Sequence, residues 1–441
     1  MLDIKYIREH QKEIKQAIVE KRIKLNLDQL LAFDDKRRAL VKQIDDVRSE
    51  RKKSADRTEK ATGKKRETFI EEGKKIKERI AQFEVELHSV GEEYENLMIK
   101  VPTIPSADTP RGKDDSENVE VYRSGEPTKF DFKPRSHIEL AESLDLIDFE
   151  RGAKAAGYRG YYLKNEAVML QMGLLTHALK KAISHGFTPI IPPTLVKEFV
   201  LFGSGYFSGR KYNPETDEIY KIANEDKLAD GTLQKEDRFL VGTAEPSLLA
   251  YYANEVLDEK QLPLKLCGFS QCYRSEIGSY GKDTKGLYRV HEFMKVELVG
   301  ITQADVAVAE KLHTEMLDLA KELHTDLGLP YRVIQICTGD MSAGKYKQFD
   351  IEAWMPSRDG WGETGSASNF LDWQSQRLNV RYKDAQGEFR HVYMLNATAL
   401  PSPRPLIAIL ENYQTKEGEV VVPQLLRDYV QKEKIGKSKA V

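Results

Sequence analysis

The stretch CYRSEIGSYGKDTKGLYRVHEFMKVE, residues 272–297, decides the fold of this chain. Apolar runs lie on both sides of a polar turn that contains glycines, and this pattern predicts two antiparallel strands joined as a hairpin. Arg274 can bind a phosphate or a carboxylate through two hydrogen bonds, while Glu276 and Glu297 can accept from amino or hydroxyl groups. The combination suits a small ligand with both signs of charge. In isolation, however, it is more typical of a hairpin with solvated charges.

The chain around this hairpin alternates between helix-like and strand-like patterns. Some strand runs are joined by turns instead of helices, which favours a largely antiparallel sheet with helices packed on it, an α+β fold. The predicted helices are 136–150, 166–185, 246–258, 303–326 and 404–413. The predicted strands are 187–191, 238–241, 264–272, 291–301, 331–336, 348–355, 378–383 and 389–396.

Residues 1–104 differ from the rest, because they contain no proline before Pro102 and are dense in charged side chains. Steps of three and four between seam positions predict an antiparallel coiled-coil hairpin over about residues 27–100, after a short helix at 3–20. The first seam is Leu30, Phe33, Arg37, Leu40, Ile44, Val47 and Arg51. The second is Phe69, Gly73, Ile76, Ile80, Phe83, Leu87, Val90, Tyr94 and Leu97.

The far end of this hairpin, between residues 48 and 66, carries more basic than acidic side chains. Phosphate contacts dominate the affinity of proteins for nucleic acids, so a cationic end on a helical arm is a plausible contact for an RNA backbone. A solvated hairpin that binds nothing fits these residues equally well.

Length and composition limit the function classes. A chain of 441 residues exceeds one typical domain, and a formal net charge of −2 means that RNA binding requires a local patch. Three cysteines without a paired motif predict no zinc site. The charged N-terminus and the lack of about 18 consecutive apolar residues indicate a cytoplasmic protein without a membrane partner.

Three further segments place reactive groups at the ends of predicted elements. Thr243 and Glu245 stand where a strand leads into a helix; they can bind a small amine, although Thr243 as a helix cap is the more ordinary interpretation. Glu363 and Ser366 could share a Mg²⁺ ion with phosphate oxygens. Arg404 begins a helix, where it either adds to an anion site or forms an ordinary helix start.

Together these segments resemble the seryl-tRNA synthetase family of class II aminoacyl-tRNA synthetases. TAE (243–245), the hairpin, ETGSASN and the run from NAT to LENYQ occur in the family's order. GFTPIIPPTLV, residues 186–196, resembles the first class II motif, with Pro192 at the dimer interface. The resemblance implies a homodimer that joins L-serine to tRNA(Ser) with ATP and Mg²⁺, with tRNA(Sec) as a further candidate substrate.

The resemblance also implies a domain plan and residue roles. The plan is a tRNA-binding arm at 1–104 and a catalytic domain at 121–430; Pro- and Asp-rich composition separately predicts a linker at 105–120, and basic composition predicts a disordered tail at 431–441. The implied catalytic residues are Arg274, Glu276 and Arg404. L-serine would contact Thr243, Ala244, Glu245, Arg274, Glu297 and Thr398. ATP would contact Arg274, Ser275, Glu276, Val290, Glu363, Thr364, Gly365, Ser366 and Arg404, with Mg²⁺ on Glu363 and Ser366.

For tRNA, the resemblance implies contacts by eight residues, the tip cations. These are Arg48, Arg51, Lys52, Lys53, Arg57, Lys64, Lys65 and Arg66. The hairpin turn at 278–286, with Lys282 and Lys285, would meet the incoming acceptor end of the tRNA.

The chain departs from the family pattern in NATALPSPR, residues 396–404, where alanines and prolines replace the usual glycines. Because Arg404 and a hydroxyl remain, we predict altered ATP affinity and retained activity. The alternatives are a paralogue that loads serine onto another carrier, and a non-catalytic coiled-coil RNA-binding protein.

Overall fold

A computed structural model describes residues 2–223, 227, 229–233, 236–277 and 285–437. The chain divides into two compact units, Leu2–Pro102 and Thr103–Val441. We call them the arm unit and the sheet unit and describe each by itself.

The arm unit is helical throughout. Its helices are α1 (Ile4–Glu9), α2 (Gln11–Glu20), α3 (Leu27–Lys60) and α4 (Lys64–Met98). The single helix predicted at 3–20 was wrong, because the backbone at His10 leaves the helical region, with φ −113° and ψ 37°. Gly63 makes the turn between α3 and α4 at a φ of +59°, which favours glycine.

Helices α3 and α4 pack against each other as the predicted coiled-coil arm. Val47 of α3 meets Ile76 and Ile80 of α4 in one apolar cluster. A buried carboxylate, Asp34, interrupts the apolar seam of α3 and pairs with Arg8 at 2.6 Å. Apolar seams interrupted by one buried polar residue with a partner are typical of a packed helical hairpin.

The sheet unit combines helices with an extended sheet. Its helices are α5 (His137–Ser143), α6 (Phe149–Ala156), α7 (Glu166–Ser184), α8 (Glu198–Ser204), α9 (Glu245–Ala250), α10 (Val306–Asp326), α11 (Trp373–Leu378), α12 (Pro403–Asn412) and α13 (Arg427–Val430). Its strands are β1 (Val119–Ser124), β2 (Ile147–Asp148), β3 (Tyr162–Leu163), β4 (Thr188–Ile190), β5 (Leu195–Lys197), β6 (Tyr220–Lys221), β7 (Arg238–Leu240), β8 (Val256–Asp258), β9 (Leu264–Tyr273), β10 (Glu292–Thr302), β11 (Tyr331–Gln335), β12 (Lys347–Met355), β13 (Gly360–Asn369), β14 (Arg381–Lys383), β15 (Phe389–His391), β16 (Tyr393–Pro401), β17 (Val420–Val421) and β18 (Lys434–Ile435).

The main sheet has eight strands in the order β1-β11-β12-β13-β16-β10-β9-β4. Its pairs are antiparallel except for β4 with β9, which confirms the predicted α+β class with a largely antiparallel sheet. The apolar core lies where α7, α10 and α12 cover this sheet. The predicted helix 246–258 was too long, because α9 ends at Ala250 and a short strand, β8, follows.

Two predictions at the edges of the sheet unit need correction. The segment predicted as a linker at 105–120 packs on the unit: Ser106 N donates to Tyr346 O at 2.9 Å, and β1 already begins at Val119. The tail predicted to be disordered from residue 431 contains β18, which pairs with β17. Residues 438–441 lie outside the described part of the chain. Among the described residues, no helix combines the length and apolar character needed to cross a bilayer.

Candidate active site

The quoted stretch forms the active-site hairpin, which we define as β9, β10 and the residues that join them. The strands pair in register from Tyr273 with Glu292 to Leu264 with Ile301. Beyond the paired strands, Arg274 and His291 hold each other: Arg274 N donates to His291 O at 2.9 Å, and His291 Nδ1 lies 2.9 Å from Arg274 O. These two hydrogen bonds fix the backbone of Arg274 just beyond the end of β9. The predicted tRNA contact at Lys282 lies outside the described residues.

Glu297 and Thr398 meet because β10 and β16 place them opposite each other. Thr398 Oγ1 donates to Glu297 Oε2 at 3.4 Å, and Lys295 forms an ion pair with the same carboxylate. Lys295 and Glu297 are 7% and 3% exposed in their side chains. A strand presents every second residue on one face, so Lys295 and Glu297, two residues apart on β10, lie side by side.

Glu245 is buried at the start of α9. It accepts hydrogen bonds from Gln374 Nε2 at 2.7 Å and from Tyr206 Oη at 3.1 Å. Burial, assisted by the negative charge of Glu297, raises the pKa of Glu245 above that of an ordinary glutamate. A buried carboxylate with a raised pKa is suited to bind a positively charged group.

The side chains of Thr243 and Ala244 have few polar contacts of their own. The N-cap of α9 is Ala244, not Thr243, and no side chain caps the helix. Thr243 Oγ1 accepts only a long hydrogen bond of 3.5 Å from Glu245 N, so the capping interpretation finds little support. The methyl group of Ala244 lies in an apolar cluster, so its predicted contact with serine is restricted to the backbone.

Arg404 lies in the first turn of α12, as predicted, and joins the groups on β13 to the active-site hairpin. Its Nη1 donates to the backbone O and to Oε2 of Glu363, at 2.9 and 3.0 Å, and its Nε donates to Tyr288 O at 3.2 Å. Burial raises the pKa of Glu363, but Arg404 outweighs burial and the net pKa is lowered. The charge of Arg274 also contributes to this lowering.

A bulge in β13 explains how Glu363 and Ser366 come together. Residues three apart on a regular strand face opposite sides, but the register shifts so that Glu363 pairs with Glu352 and Gly365 with Ile351. The extra residue, Thr364, is buried and hydrogen-bonded to His324 Nε2 at 2.7 Å. Because this side chain is occupied, the contact of Thr364 with ATP stays a prediction for its backbone.

Asp350 adds a third oxygen group that the sequence analysis missed. It pairs in register with Ser366 on the neighbouring strand. Burial, with the negative charge of Glu363 second, raises the pKa of Asp350 to about 8. The charge of Lys345 and a hydrogen bond from Gln348 Nε2 to Asp350 Oδ1 at 2.8 Å lower this pKa, but by less than burial raises it. Among the described residues, no cluster of three or more His, Cys, Asp and Glu suited to a metal is present.

Glu276 is held by two arginines at the end of β9. Arg289 Nη1 donates to Glu276 Oε2 at 3.1 Å, and Arg159 Nη1 lies 3.8 Å from the same oxygen. Glu276 itself has a φ of +53°, a strained backbone conformation for a residue with a side chain. Such strain at a predicted ligand contact is typical of functional sites.

The remaining predicted ATP contacts are adjacent in sequence to these groups. Ser275 N donates to Glu218 O at 3.4 Å, and the side chain of Val290 belongs to the main apolar core. Gly365 approaches Thr398, since a Cβ at residue 365 would lie 3.4 Å from Thr398 O. Any contact of Val290 with a nucleotide therefore involves its backbone.

The site contains residues that the sequence analysis did not predict: Lys295, Tyr288, Arg159, Tyr206, Gln374 and Asp350. Lys295 could have been found, because it lies two residues from Glu297 on a predicted strand. No comparable signal exists for Tyr206 and Gln374, which reach Glu245 from 39 and 129 residues away.

The tip cations occupy the end of the arm unit on both helices and are all exposed. Arg48 pairs with Glu84 at 2.9 Å and Arg57 with Glu72 at 3.7 Å. In the described part of the chain, the other six form no ion pair. Their charge is therefore available to a polyanion.

Pro192 is buried within the single chain, so it does not itself present a surface to a second copy. The neighbouring Ile191 is 83% exposed, and Leu195 and Phe199 are 46% and 45% exposed. The dimer contact predicted at Pro192 stays a prediction, and exposed apolar side chains lie beside Pro192 in the chain.

Comparisons with known proteins agree with this geometry. Residues 227–413 match the tRNA synthetase class II core domain of the G, H, P, S and T enzymes, and residues 1–105 match the seryl-tRNA synthetase N-terminal domain. The sheet unit thus contains a class II aminoacyl-tRNA synthetase core.

Full-length relatives define the family more narrowly. The chain is 40% identical to a serine–tRNA ligase of Treponema denticola, over 99% of this chain and 100% of the relative. It resembles the crystal structure of seryl-tRNA synthetase from Pyrococcus horikoshii complexed with ATP, with TM-score 0.86, 35% identity and full coverage of both chains. It also resembles cytoplasmic serine–tRNA ligase from Naegleria fowleri in complex with AMP, with TM-score 0.83, 27% identity, and coverage of 100% of this chain and 99% of that one. The chain therefore belongs to the serine–tRNA ligase family, which confirms the predicted enzyme class.

Proposed function

We propose that the sheet unit activates L-serine with ATP to seryl-adenylate and that the enzyme then transfers serine to the 3′ end of tRNA(Ser). The observation that carries this proposal is the arrangement around Arg274. Its Nε donates to Gly242 O at 3.4 Å, next to Thr243 and Glu245 in the chain, and its guanidinium carbon lies 5.5 Å from the centre of the Phe293 ring on β10. Arg274 would therefore stand between the carboxylate pocket for the amino acid and the side of the site that binds phosphate.

The amino acid side of the site is built from Glu245, Glu297 and Thr398. The two carboxylates would bind the serine ammonium and hydroxyl, and Arg274 would bind the serine carboxylate together with the α-phosphate. A buried pocket that hydrogen-bonds a hydroxyl rejects alanine, because its acceptors would be left unpaired. Threonine would be excluded by the volume of its extra methyl group.

The nucleotide side is built from Arg274, Glu276 and Arg404. Glu276 would accept from the adenine amino group, and Arg404 would bind the outer phosphates. The ATP in the Pyrococcus horikoshii relative supports ATP as the second substrate. The reaction is attack of the serine carboxylate on the α-phosphorus with loss of pyrophosphate, so it requires positioning and charge stabilisation and no protein nucleophile.

The oxygen groups on β12 and β13 fit a Mg²⁺ ion. Mg²⁺ prefers oxygen ligands and shares phosphate oxygens, and Glu363, Ser366 and Asp350 offer carboxylate and hydroxyl oxygens on paired strands. When bound, Mg²⁺ would neutralise negative charge on the phosphates. Arg404, which pairs with Glu363 here, would then be released towards the phosphate oxygens.

The arm unit would bind tRNA(Ser) through the tip cations. Exposed cations on a rigid helical hairpin recognise a folded RNA by backbone and shape rather than by base sequence. We also propose a homodimer that covers the exposed apolar side chains near Ile191, and a cytoplasmic location. The tRNA(Sec) substrate is included because the same arm contacts would serve any tRNA with a similar long variable arm.

Aminoacylation of total tRNA with radiolabelled serine, threonine and alanine tests the proposal. We expect charging with serine, and charging with alanine reduced by roughly 10⁴-fold or more because the hydroxyl contacts are lost. Purified tRNA(Ser) and tRNA(Sec) transcripts identify the acceptor. Serine-dependent exchange of pyrophosphate into ATP without charging of any tRNA would point to the paralogue with another carrier.

A further inference from the structure

A buried network outside the proposed substrate contacts converges on Glu411 of α12, whose side chain is 0% exposed. Its Oε1 lies 2.9 Å from His137 Nδ1 and accepts from Ser357 Oγ at 2.7 Å. Its Oε2 accepts from Ser357 N at 2.9 Å. Burial raises the pKa of Glu411, but the hydrogen bonds from His137 and Ser357 outweigh burial and lower it. Glu411 is thus an ionised carboxylate with fixed partners.

His137 connects this carboxylate to the active-site hairpin. Leu287 N donates to His137 Nε2 at 3.2 Å, so Nε2 is an acceptor and the ring proton lies on Nδ1, where it is donated to Glu411. The chain passes close to the ring at Gly286, since a Cβ there would lie 2.2 Å from His137 Nε2. Gly286 also has a φ of +76°. The network therefore fixes the backbone of residues 286–287.

The next residue, Tyr288, lies between two arginines. The guanidinium carbon of Arg404 is 4.4 Å from the centre of the Tyr288 ring, and that of Arg358 is 4.1 Å from it. Tyr288 O accepts from Arg404 Nε at 3.2 Å. Leu287 and Ser357, the two residues held by the network, are the sequence neighbours of Tyr288 and Arg358. The network therefore fixes the backbone next to Tyr288 and the backbone next to Arg358, which stacks on the Tyr288 ring.

We propose that His137 and Glu411 are positioning residues that set the affinity for ATP by holding Tyr288 where it orients Arg404. Arg404 has Glu363 as a partner only while no phosphate or cation competes for either group. Its contacts with the ring and backbone of Tyr288 do not depend on that competition. This inference rests on the proposed ATP-dependent activation of serine.

Two substitutions separate the two hydrogen bonds of the imidazole. In His137→Gln, the side-chain amide reaches the position of Nε2 and can still accept from Leu287 N. In His137→Asn, the shorter amide reaches only the position of Nδ1 and can still donate to Glu411. Ser357→Ala removes one donor to Glu411 and leaves the histidine intact. His313→Asn is the matched control, because His313 is a buried histidine on α10 at 2% exposure and lies outside this network.

The experiment measures KM for ATP and for serine in ATP–pyrophosphate exchange, with thermal unfolding of each full-length variant. We expect His137→Asn to raise KM for ATP about 10-fold, as expected for a lost buried hydrogen bond, with KM for serine within about twofold. His137→Gln should stay within about threefold of the unchanged chain, and Ser357→Ala should raise KM for ATP about threefold. His313→Asn should change stability and leave both KM values unchanged.

Several results would overturn the proposal: a folded His137→Asn variant with unchanged KM for ATP, an equal rise of both KM values, or the same rise in His313→Asn. If His137→Asn does not fold, Ser357→Ala decides the outcome: a folded variant with unchanged KM for ATP, or with an equal rise of both KM values, overturns the proposal. Failure of the proposed function is distinct, because the unchanged chain itself would then show no serine-dependent exchange.

Discussion

Charged side chains of the arm unit are mostly exposed, whereas those of the active site are buried and share partners. In the arm, Arg48 and Glu84 are 57% and 50% exposed. In the site, Lys295 and Glu297 are 7% and 3% exposed, and the Glu297 carboxylate also accepts from Thr398. Exposed pairs contribute little to stability, while buried charges are expensive unless each is satisfied.

This difference indicates two kinds of recognition. The exposed cations of the arm can bind a polyanion without one fixed arrangement. The arm's contribution to tRNA affinity is therefore a sum over cations that can replace one another. The site requires each group in one place, because removing one member leaves a buried partner unsatisfied. Substitutions should therefore act gradually in the arm and abruptly in the site.

The largest effect is expected for Arg274→Ala. Arg274 is the proposed clamp for both the α-phosphate and the serine carboxylate, so its loss should lower serine-dependent ATP–pyrophosphate exchange by roughly 10³-fold or more. Arg390→Ala, which removes an exposed arginine paired with Asp384, is the control and should retain activity. Retained exchange in a folded Arg274→Ala variant would refute the assigned role.

Glu245→Gln tests the amino acid pocket with little change in volume. We expect KM for serine to rise roughly 10- to 100-fold through loss of a charge-assisted hydrogen bond, with KM for ATP unchanged. Because the pKa of Glu245 is raised and the ionised form binds the ammonium group, kcat/KM for serine should fall as the pH decreases through this raised pKa. The variant should lose that dependence. Glu150→Gln, at an exposed glutamate, should show the pH profile of the unchanged chain.

Asp34→Ala tests how much the buried ion pair of Asp34 with Arg8 stabilises the arm. Arg8 contacts both Asp34 and Asp35 at 2.6 Å, but their side chains are 2% and 63% exposed. We expect Asp34→Ala to lower the free energy of unfolding of the arm by about 1–3 kcal/mol and Asp35→Ala by less than about 1 kcal/mol, measured by urea unfolding. Equal effects of the two substitutions would contradict the role of burial.

The same aspartate predicts a pH dependence of arm stability. Burial raises the pKa of Asp34, but the hydrogen bonds from Arg8 and Arg37 outweigh burial, so the folded-state pKa lies below the unfolded value. Its stabilising contribution is therefore present above the unfolded pKa and is lost as the pH falls through the folded pKa. Asp34→Ala should remove this acid-dependent part of the unfolding curve.

Much of this architecture follows from local sequence pattern. The seams of α3 and α4 and the strands of the active-site hairpin have regular apolar spacing, so both were predictable. Strand β13 was not predicted, because its sequence GWGETGSASN has glycines and polar residues in place of apolar alternation. Residue type suggested that Glu363 and Ser366 could share a Mg²⁺ ion, and the family resemblance implied the same role, but the bulge at Thr364 that brings them together has no local signal.

The supporting residues of the site could not be predicted for a related reason. Tyr206, Gln374 and His137 reach their partners from distant parts of the chain, and a single sequence contains no information on which distant residues meet. Local pattern therefore identifies the substrate-binding groups better than the residues that hold them.

Replacing six tip cations by glutamine tests most directly whether activation and tRNA recognition belong to different regions. The variant changes Arg51, Lys52, Lys53, Lys64, Lys65 and Arg66, and both ATP–pyrophosphate exchange and tRNA(Ser) charging are measured on one preparation. We predict unchanged exchange, a fall in kcat/KM for tRNA of roughly 10²-fold or more, and a weaker dependence on salt. Equal loss of both activities, or unchanged charging, would contradict the account.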